Sequence, residues 1–470
     1  MNKLIKTFLT LLIVLIFSFS GFTQGYKIDL KIEGLKDTSV YIAYHFGDKK
    51  FIQDTITLDN KGVGAFQGDK DLPGGVYLVV LPNMKFFEVL VSDDQYFSCE
   101  TDTADLIGKL KFKGSKENYV FLDYQRFMIQ QQKLSQELRK RRNSFKEIPD
   151  SVEYINQQLK DQDKKVKSYW NELVNTHPNT FLANLIRSMI PPEIQEFEIP
   201  ENTENKDSLK WVLTYQFNRD HFFDFIEFSD ERLLRTPVLR TKLDQYFNKV
   251  LLQIPDSIIP QVHDIGEKAR GNDKVFQYVI VFLLNNFQKS NIMGLDEVYV
   301  NIAEKYYLSG EASWIDSTFM EKLGDRIGKI KHNLIGRVGK DLTMETSTGE
   351  WVSLYQVNAK YTILYFWEPD CSFCKKTTPQ LNEIYKKNKD KGLEIFAVYT
   401  QGNKQEWLDY LNENVLDYWI NAYDPNQATY FRYYYDVFST PVIYLLDKDK
   451  VIVAKRISAE SLGKMLEKLL

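Results

Sequence analysis

Residues 361–367 (Tyr-Thr-Ile-Leu-Tyr-Phe-Trp) are apolar or aromatic at every position but one. Such a run leaves no face for water. It fits a strand covered on both sides, as in a parallel sheet flanked by helices, and not a half-wetted antiparallel strand. The next residues narrow the fold further. Glu368-Pro369-Asp370 leads into Cys371-Ser372-Phe373-Cys374, and residues 374–388 read as an amphipathic helix with Leu381, Ile384 and Tyr385 on one face. Around this unit the spacing predicts a hairpin at the Thr348-Gly349 turn, a strand at 393–400, and helices near 404–412 and 427–435. A second hairpin joins 442–446 to 451–455 about Asp447-Lys448-Asp449-Lys450, and a helix closes the chain over 459–470.

A chain of 470 residues is too long for one hydrophobic core and divides into about two to four domains. The segment 24–115 reads as a β-rich, sandwich-like domain. Its short strands alternate polar and apolar residues, at 27–32, 39–44, 51–58, 76–81, 86–91 and 96–99, between turns such as Asn60-Lys61-Gly62 and Pro73-Gly74-Gly75. An antiparallel arrangement is expected. Near Ser115 the period becomes helical, and 116–335 reads as a mostly helical region, broken at Pro237, Pro255, Pro260 and Gly271 and without a chemical motif. Residues 335–340 look like a linker into the α/β domain at 336–470. The fold class is therefore multidomain: antiparallel β, then α, then α/β.

Residues 1–23 carry Lys3 and Lys6, an apolar run over 8–19 and small residues after it, which is the pattern of a secretory signal peptide. Cleavage fits after Thr23 or after Ser20, with an uncleaved anchor as the alternative. No cysteine stands near either point to take a lipid. The expectation is an exported protein of the periplasm or cell envelope. Acidic residues outnumber basic ones 64 to 60, and the run Arg139-Lys140-Arg141-Arg142 sits among Glu and Asp, so no nucleic-acid partner is expected.

Three cysteines in an oxidising compartment cannot all pair within one chain. Cys99 falls in an expected strand and reads as a buried thiol. Cys371 and Cys374 are different. A thiolate attacks a disulfide, and the first turn of a helix stabilises one through its unpaired N–H groups and its dipole. Lys375 and Lys376 add positive charge. Cys371 is thus the nucleophile, and Cys374 resolves the mixed disulfide. A zinc site would need two more ligands, and all five histidines lie upstream of this domain, so no metal and no cofactor is expected. A purely structural disulfide is the plainer alternative.

Phe366-Trp367 followed by Cys-x-x-Cys at a strand end resembles thioredoxin. Pro379, five residues after Cys374, and Thr440-Pro441, before a hairpin, agree with the family's helix proline and its cis-proline loop. The longer gap before Thr440, the preceding hairpin and the export signal resemble the TlpA-like thiol–disulfide oxidoreductases of the envelope. This resemblance covers about 336–470, and the upstream segments look like modules of unknown function found before such domains. It implies an oxidoreductase that reduces disulfides of envelope proteins, with a membrane electron donor. Trp367, Phe373, Thr440 and Pro441 are the expected substrate-binding or supporting residues. The family's buried aspartate is replaced by Tyr365, which leaves Glu368 as candidate proton relay and Asp370 as a second carboxylate. The alternatives are a scaffold carrying a passive thioredoxin module, or a thiol peroxidase of the same fold, although Glu368 departs from the peroxiredoxin pattern. Oligomeric state is left open by the sequence.

Overall fold

In a computed structural model of the chain, the described residues are 25–470 other than Gln195, Val415 and Asp417. The expected signal segment lies outside them. Two compact units result. One holds the described residues up to Leu251 together with Ala269–Val275, and the other holds Leu252–Lys268 and Phe276–Leu470. The helical region is shared between the units.

In the first unit, β1 (Tyr26–Glu33), β4 (Val63–Gly68), β7 (Tyr96–Asp102) and β8 (Lys111–Lys113) form a sheet in the order β4-β1-β7-β8. A second sheet, β3-β2-β5-β6, is made of β2 (Thr38–Phe46), β3 (Lys49–Leu58), β5 (Gly75–Val80) and β6 (Phe86–Val91). Ile28, Leu30 and Ile32 alternate inward along β1 and meet Val40, Ile42 and Val79 of the other sheet in one core. The ladders of both sheets are antiparallel, as expected, except that β1 pairs with β7 in parallel. The alternation of β1 reports which face is buried and is blind to the direction of its neighbour. Ser115 caps α1 (Lys116–Ser144), and the Asn118 amide exchanges two hydrogen bonds with the Leu90 backbone, fastening the helix to β6. α2 (Pro149–Thr176) packs on α1 through Phe127 and Tyr169, whose ring centroids are 4.0 Å apart. α3 (Phe181–Met189), α4 (Lys206–His221) and α5 (Val238–Gln245) follow.

Helices α6 (Pro255–Ala269) and α7 (Asp273–Gln288) cross from one unit's residues to the other's, and α8 (Asp296–Ile302) and α9 (Ser317–Lys331) belong to the second unit. Pro260 does not break α6 but lies inside it. It sits within the second turn, where its missing N–H removes a single intrahelical bond.

The second unit is built on a seven-stranded sheet, β10-β9-β13-β12-β11-β14-β15. Its strands are β9 (Thr343–Thr346), β10 (Trp351–Ser353), β11 (Tyr361–Trp367), β12 (Leu393–Tyr399), β13 (Ile420–Tyr423), β14 (Val442–Asp447) and β15 (Ile452–Lys455). β11, β12 and β13 are parallel, and β14 runs antiparallel to β11. The apolar run of β11 is explained by its position. Ile363, Tyr365 and Trp367 enter one core with Leu381 of α10 (Ser372–Asn388), Trp407 of α11 (Lys404–Asn414) and Leu462 of α13 (Ala459–Leu469), while Leu364 and Phe366 enter the core on the other face. The expected third helix shrinks to α12 (Phe431–Tyr434). Residues 335–340 are not a free linker. Gly336 and Arg337 exchange backbone hydrogen bonds with Ile452, and Val338 bridges Val451, so the segment runs along β15. The helices are tied to the sheet by Lys455, which is buried and reaches Asp296 of α8 and both oxygens of Asn333. Arg326 of α9 likewise reaches Asp436.

Candidate active site

The buried strand β11 delivers Trp367 to the edge of the sheet, three residues turn, and α10 begins on Cys371. Cys371 is the helix N-cap: its sulfur accepts the backbone N–H of Cys374 at 3.1 Å, in the place where a Ser or Asp side chain usually sits. Both cysteines are thiols. The Cys371 thiol donates to the carbonyl of Thr440 at 3.3 Å, and Thr440–Pro441 is a cis peptide bond. The loop before β14 is thus brought against the helix start.

The two sulfurs differ in exposure and in acidity. Cys371 is partly exposed and Cys374 is 1% exposed. Desolvation works to raise the Cys371 thiol, but hydrogen bonds from Cys374, from Thr440 and from the Phe373 backbone N–H outweigh it and hold the thiol below its ordinary value. Cys374 goes the other way: burial first, then the neighbouring Cys371 sulfur, push it up to about 12. The helix start therefore favours the thiolate form at one sulfur and the protonated form at its partner. Lys375 and Lys376 are exposed, and the groups that lower Cys371 are hydrogen-bond donors of the first turn and the Thr440 loop rather than these lysines.

Glu368 touches Cys374 through its backbone N–H, which favours the thiolate. Its carboxylate accepts the Thr400 hydroxyl instead. Tyr365 is fully buried beneath the pair, with its hydroxyl 2.9 Å from Thr378 Oγ1, and burial pushes its phenol above the ordinary value. Thr378 stands one helical turn after Cys374 and also bonds Tyr410. Where thioredoxin has a carboxylate, this chain has a hydroxyl cluster. Asp370 is exposed and accepts Gln401 Nε2 at 3.3 Å.

The expected substrate surface divides. Phe373 is 70% exposed, and Thr440 and Pro441 are half-buried beside it. Trp367 is 0% exposed, stacked on Tyr365 and packed on Tyr410, so it supports the site from within and does not face a substrate. Sequence reasoning missed Phe438, Asp436 and Arg456, which line a groove of about 500 Å³ with Phe373 and Pro441. The signal for Phe438 was its place two residues before Thr440-Pro441. Nothing in the sequence pointed to Asp436 and Arg456, which meet only through the fold. Cys99 lies in the core of the first unit, where burial pushes its thiol up to about 12. Among the described residues, no group of three or more His, Cys, Asp or Glu side chains is placed to hold a metal. No described helix is long and apolar enough to cross a membrane.

Residues 335–455 match the AhpC/TSA family, and residues 26–121 and 151–333 match two domains of unknown function, DUF4369 and DUF5106. A curated relative, "Thiol-disulfide oxidoreductase ResA" of Bacillus thuringiensis, is 29% identical over 127 residues, 27% of this chain and 72% of that protein. "Thioredoxin-like protein" of Haemophilus influenzae is 33% identical over 113 residues, 23% of this chain and 63% of its own length. Among solved structures, a domain of a possible thiol-disulfide isomerase from Cytophaga hutchinsonii is 40% identical. It covers 29% of this chain and 92% of that one, with a TM-score of 0.28. The fold and the relatives' names are consistent with a protein-disulfide oxidoreductase. The C-terminal domain of this chain is a thioredoxin-like domain of the AhpC/TSA family, standing behind two domains of unknown function.

Proposed function

We propose that the protein reduces disulfides of other proteins outside the cytoplasm through a Cys371–Cys374 dithiol–disulfide cycle. The observation that carries this reading is the asymmetry of the pair, an acidified, partly exposed sulfur at the helix start above a buried, protonated one.

The chemistry follows from it. The Cys371 thiolate attacks one sulfur of a substrate disulfide, the substrate S–S bond breaks, and the departing sulfur leaves as a thiolate that takes up a proton. Cys374 then gives up its proton and attacks Cys371 Sγ. The mixed disulfide breaks, the second substrate sulfur leaves as a thiol, and Cys371–Cys374 is left oxidised. Two electrons have passed from the protein to its substrate. The backbone N–H of Glu368 steadies the Cys374 thiolate as it forms. A donor of two electrons must then restore the dithiol, and the TlpA-like resemblance supports a membrane protein in that role. Export rests on the N-terminal segment, which has the composition of a signal peptide.

Turnover of insulin disulfides with dithiothreitol tests the reading. Wild-type protein accelerates insulin reduction, and Cys371→Ser abolishes the acceleration. An unchanged rate in Cys371→Ser refutes it. Direction is tested by the reduction potential of the pair, on a scale running from about −270 mV for thioredoxin to about −120 mV for a strong oxidant. A value at the reducing end supports a reductase, and one at the oxidising end reverses the direction.

A further inference from the structure

The groove beside the cysteines carries information about substrate. Its lining includes two exposed aromatic rings, Phe373 at 70% and Phe438 at 64%. Exposed rings in a groove that includes Phe373, the residue between the two cysteines, and Pro441 of the cis-proline loop mark a contact surface. At its base the groove has a charge. Asp436 is buried and accepts hydrogen bonds from Arg456 of the loop after β15 and from Arg326 of α9. One carboxylate against two guanidiniums leaves the cluster at +1. Arg456 lines the groove and its side chain remains 47% exposed, so this surplus is presented to whatever occupies the groove. Lys329 adds nothing net, since it pairs with Asp325 at 2.6 Å.

Arg326 and Lys329 also hold Phe438. The Arg326 guanidinium lies 5.0 Å and the Lys329 ammonium 5.8 Å from its ring centre. Both belong to the segment that matches a domain of unknown function. That segment thus backs one residue of the groove lining, Phe438.

We propose that this groove selects disulfides in polypeptide segments that carry an apolar residue and a carboxylate residue beside the cysteine. The apolar side chain lies between Phe373 and Phe438, the carboxylate meets Arg456, and Arg326 is a positioning residue that sets the charge of the cluster. The inference rests on the disulfide-exchange reading, with the balanced steps given above, and adds the class of substrate to it.

The test uses pre-reduced full-length protein and two peptides, Leu-Cys-Glu and Leu-Cys-Lys, each activated as a mixed disulfide with thiopyridine. Attack at the peptide sulfur releases thiopyridone, which is followed by absorbance. Uncharged dithiodipyridine serves as the reference substrate. Wild-type protein consumes dithiodipyridine and reacts with the Glu peptide about fivefold faster than with the Lys peptide, the scale of one half-exposed ion pair. Arg456→Gln and Arg326→Gln each take the cluster to zero and bring the ratio towards one. Asp436→Asn takes it to +2 and raises the ratio. A purely structural role for these residues would change both rates together and leave the ratio alone. Equal rates for the two peptides with wild-type protein, or a ratio that neither arginine variant moves, overturns the proposal while dithiodipyridine turnover leaves disulfide exchange standing. Failure with dithiodipyridine as well sinks both.

Discussion

Cys374 donates its backbone N–H to the sulfur of Cys371 at 3.1 Å, so α10 begins on the more acidic of the two thiols. Helix capping and thiol activation are one interaction. The N–H groups that need an acceptor at the start of any helix find it in a sulfur, and they favour that sulfur as a thiolate. Its partner, one turn on, is sealed by the same helix.

This relationship sets the pH dependence. Cys371 is held below the ordinary thiol value, so its thiolate is more populated at neutral pH than that of a free cysteine, and it is lost as pH falls through the lowered value. Iodoacetamide added to the native reduced protein is expected to label one thiol rapidly, with a rate that inflects below the ordinary cysteine range. Cys374 and Cys99, both pushed up to about 12, stay unlabelled at neutral pH. Peptide mass spectrometry against pH reads this out. Equal labelling of Cys371 and Cys374 would contradict it.

Tyr365 gives a second prediction. Its hydroxyl bonds Thr378, which keeps another partner in Tyr410. Tyr365→Phe therefore leaves no group wholly unsatisfied and costs about 0.5–1.5 kcal/mol, the net worth of one hydrogen bond. The urea midpoint measures it. A loss well beyond that range would mean that the hydroxyl cluster holds the site together.

Packing beneath the site predicts a larger effect. Leu381 is fully buried on the inner face of α10 against β11. Leu381→Ala should cost about 2–5 kcal/mol in denaturant unfolding. Leu134, exposed on α1, should tolerate the same change within about 0.5 kcal/mol. Similar costs at the two positions would contradict the assigned core.

The tie between helices and sheet predicts how the C-terminal domain behaves alone. Lys455 finds Asp296 and Asn333 upstream of the sheet, and residues 336–338 pair along β15. A fragment starting at residue 341 should fold yet unfold at lower denaturant than the same domain in the full chain, and Lys455→Ala in the full chain should cost about 1–3 kcal/mol because the partly buried Asp296 and the buried Asn333 lose their partner. Equal midpoints for the fragment and the intact chain would contradict the tie.

Much of this architecture was legible because burial leaves a periodic trace. The unbroken run of β11 announced a strand covered on both faces, and the strict alternation of β1 announced one covered on a single face. Short elements left no such trace. β8 has three residues and β13 four, too few for a period to register. The parallel pairing of β1 with β7 and the docking of residues 335–340 on β15 depend on partners far along the chain, which local pattern does not encode. The site divides in the same way. Cys371 and Cys374 were readable from their spacing, and the Thr440-Pro441 loop from the resemblance to thioredoxin. Trp367 closes the unbroken run of β11 and is buried with it, which leaves it the supporting rather than the contacting half of its expected role. Asp436, Arg456 and Arg326 come from three separate elements, and no spacing joins them.

If Cys371 attacks and Cys374 resolves, trapping the mixed disulfide separates the two roles. Reduced Cys374→Ser protein is incubated with an oxidised peptide substrate, and the adducts are mapped by mass spectrometry without reductant. A stable peptide adduct is expected on Cys371 in this variant and none on Cys374 in the Cys371→Ser counterpart. An adduct that forms on Cys374 as readily as on Cys371, or on neither, would contradict it.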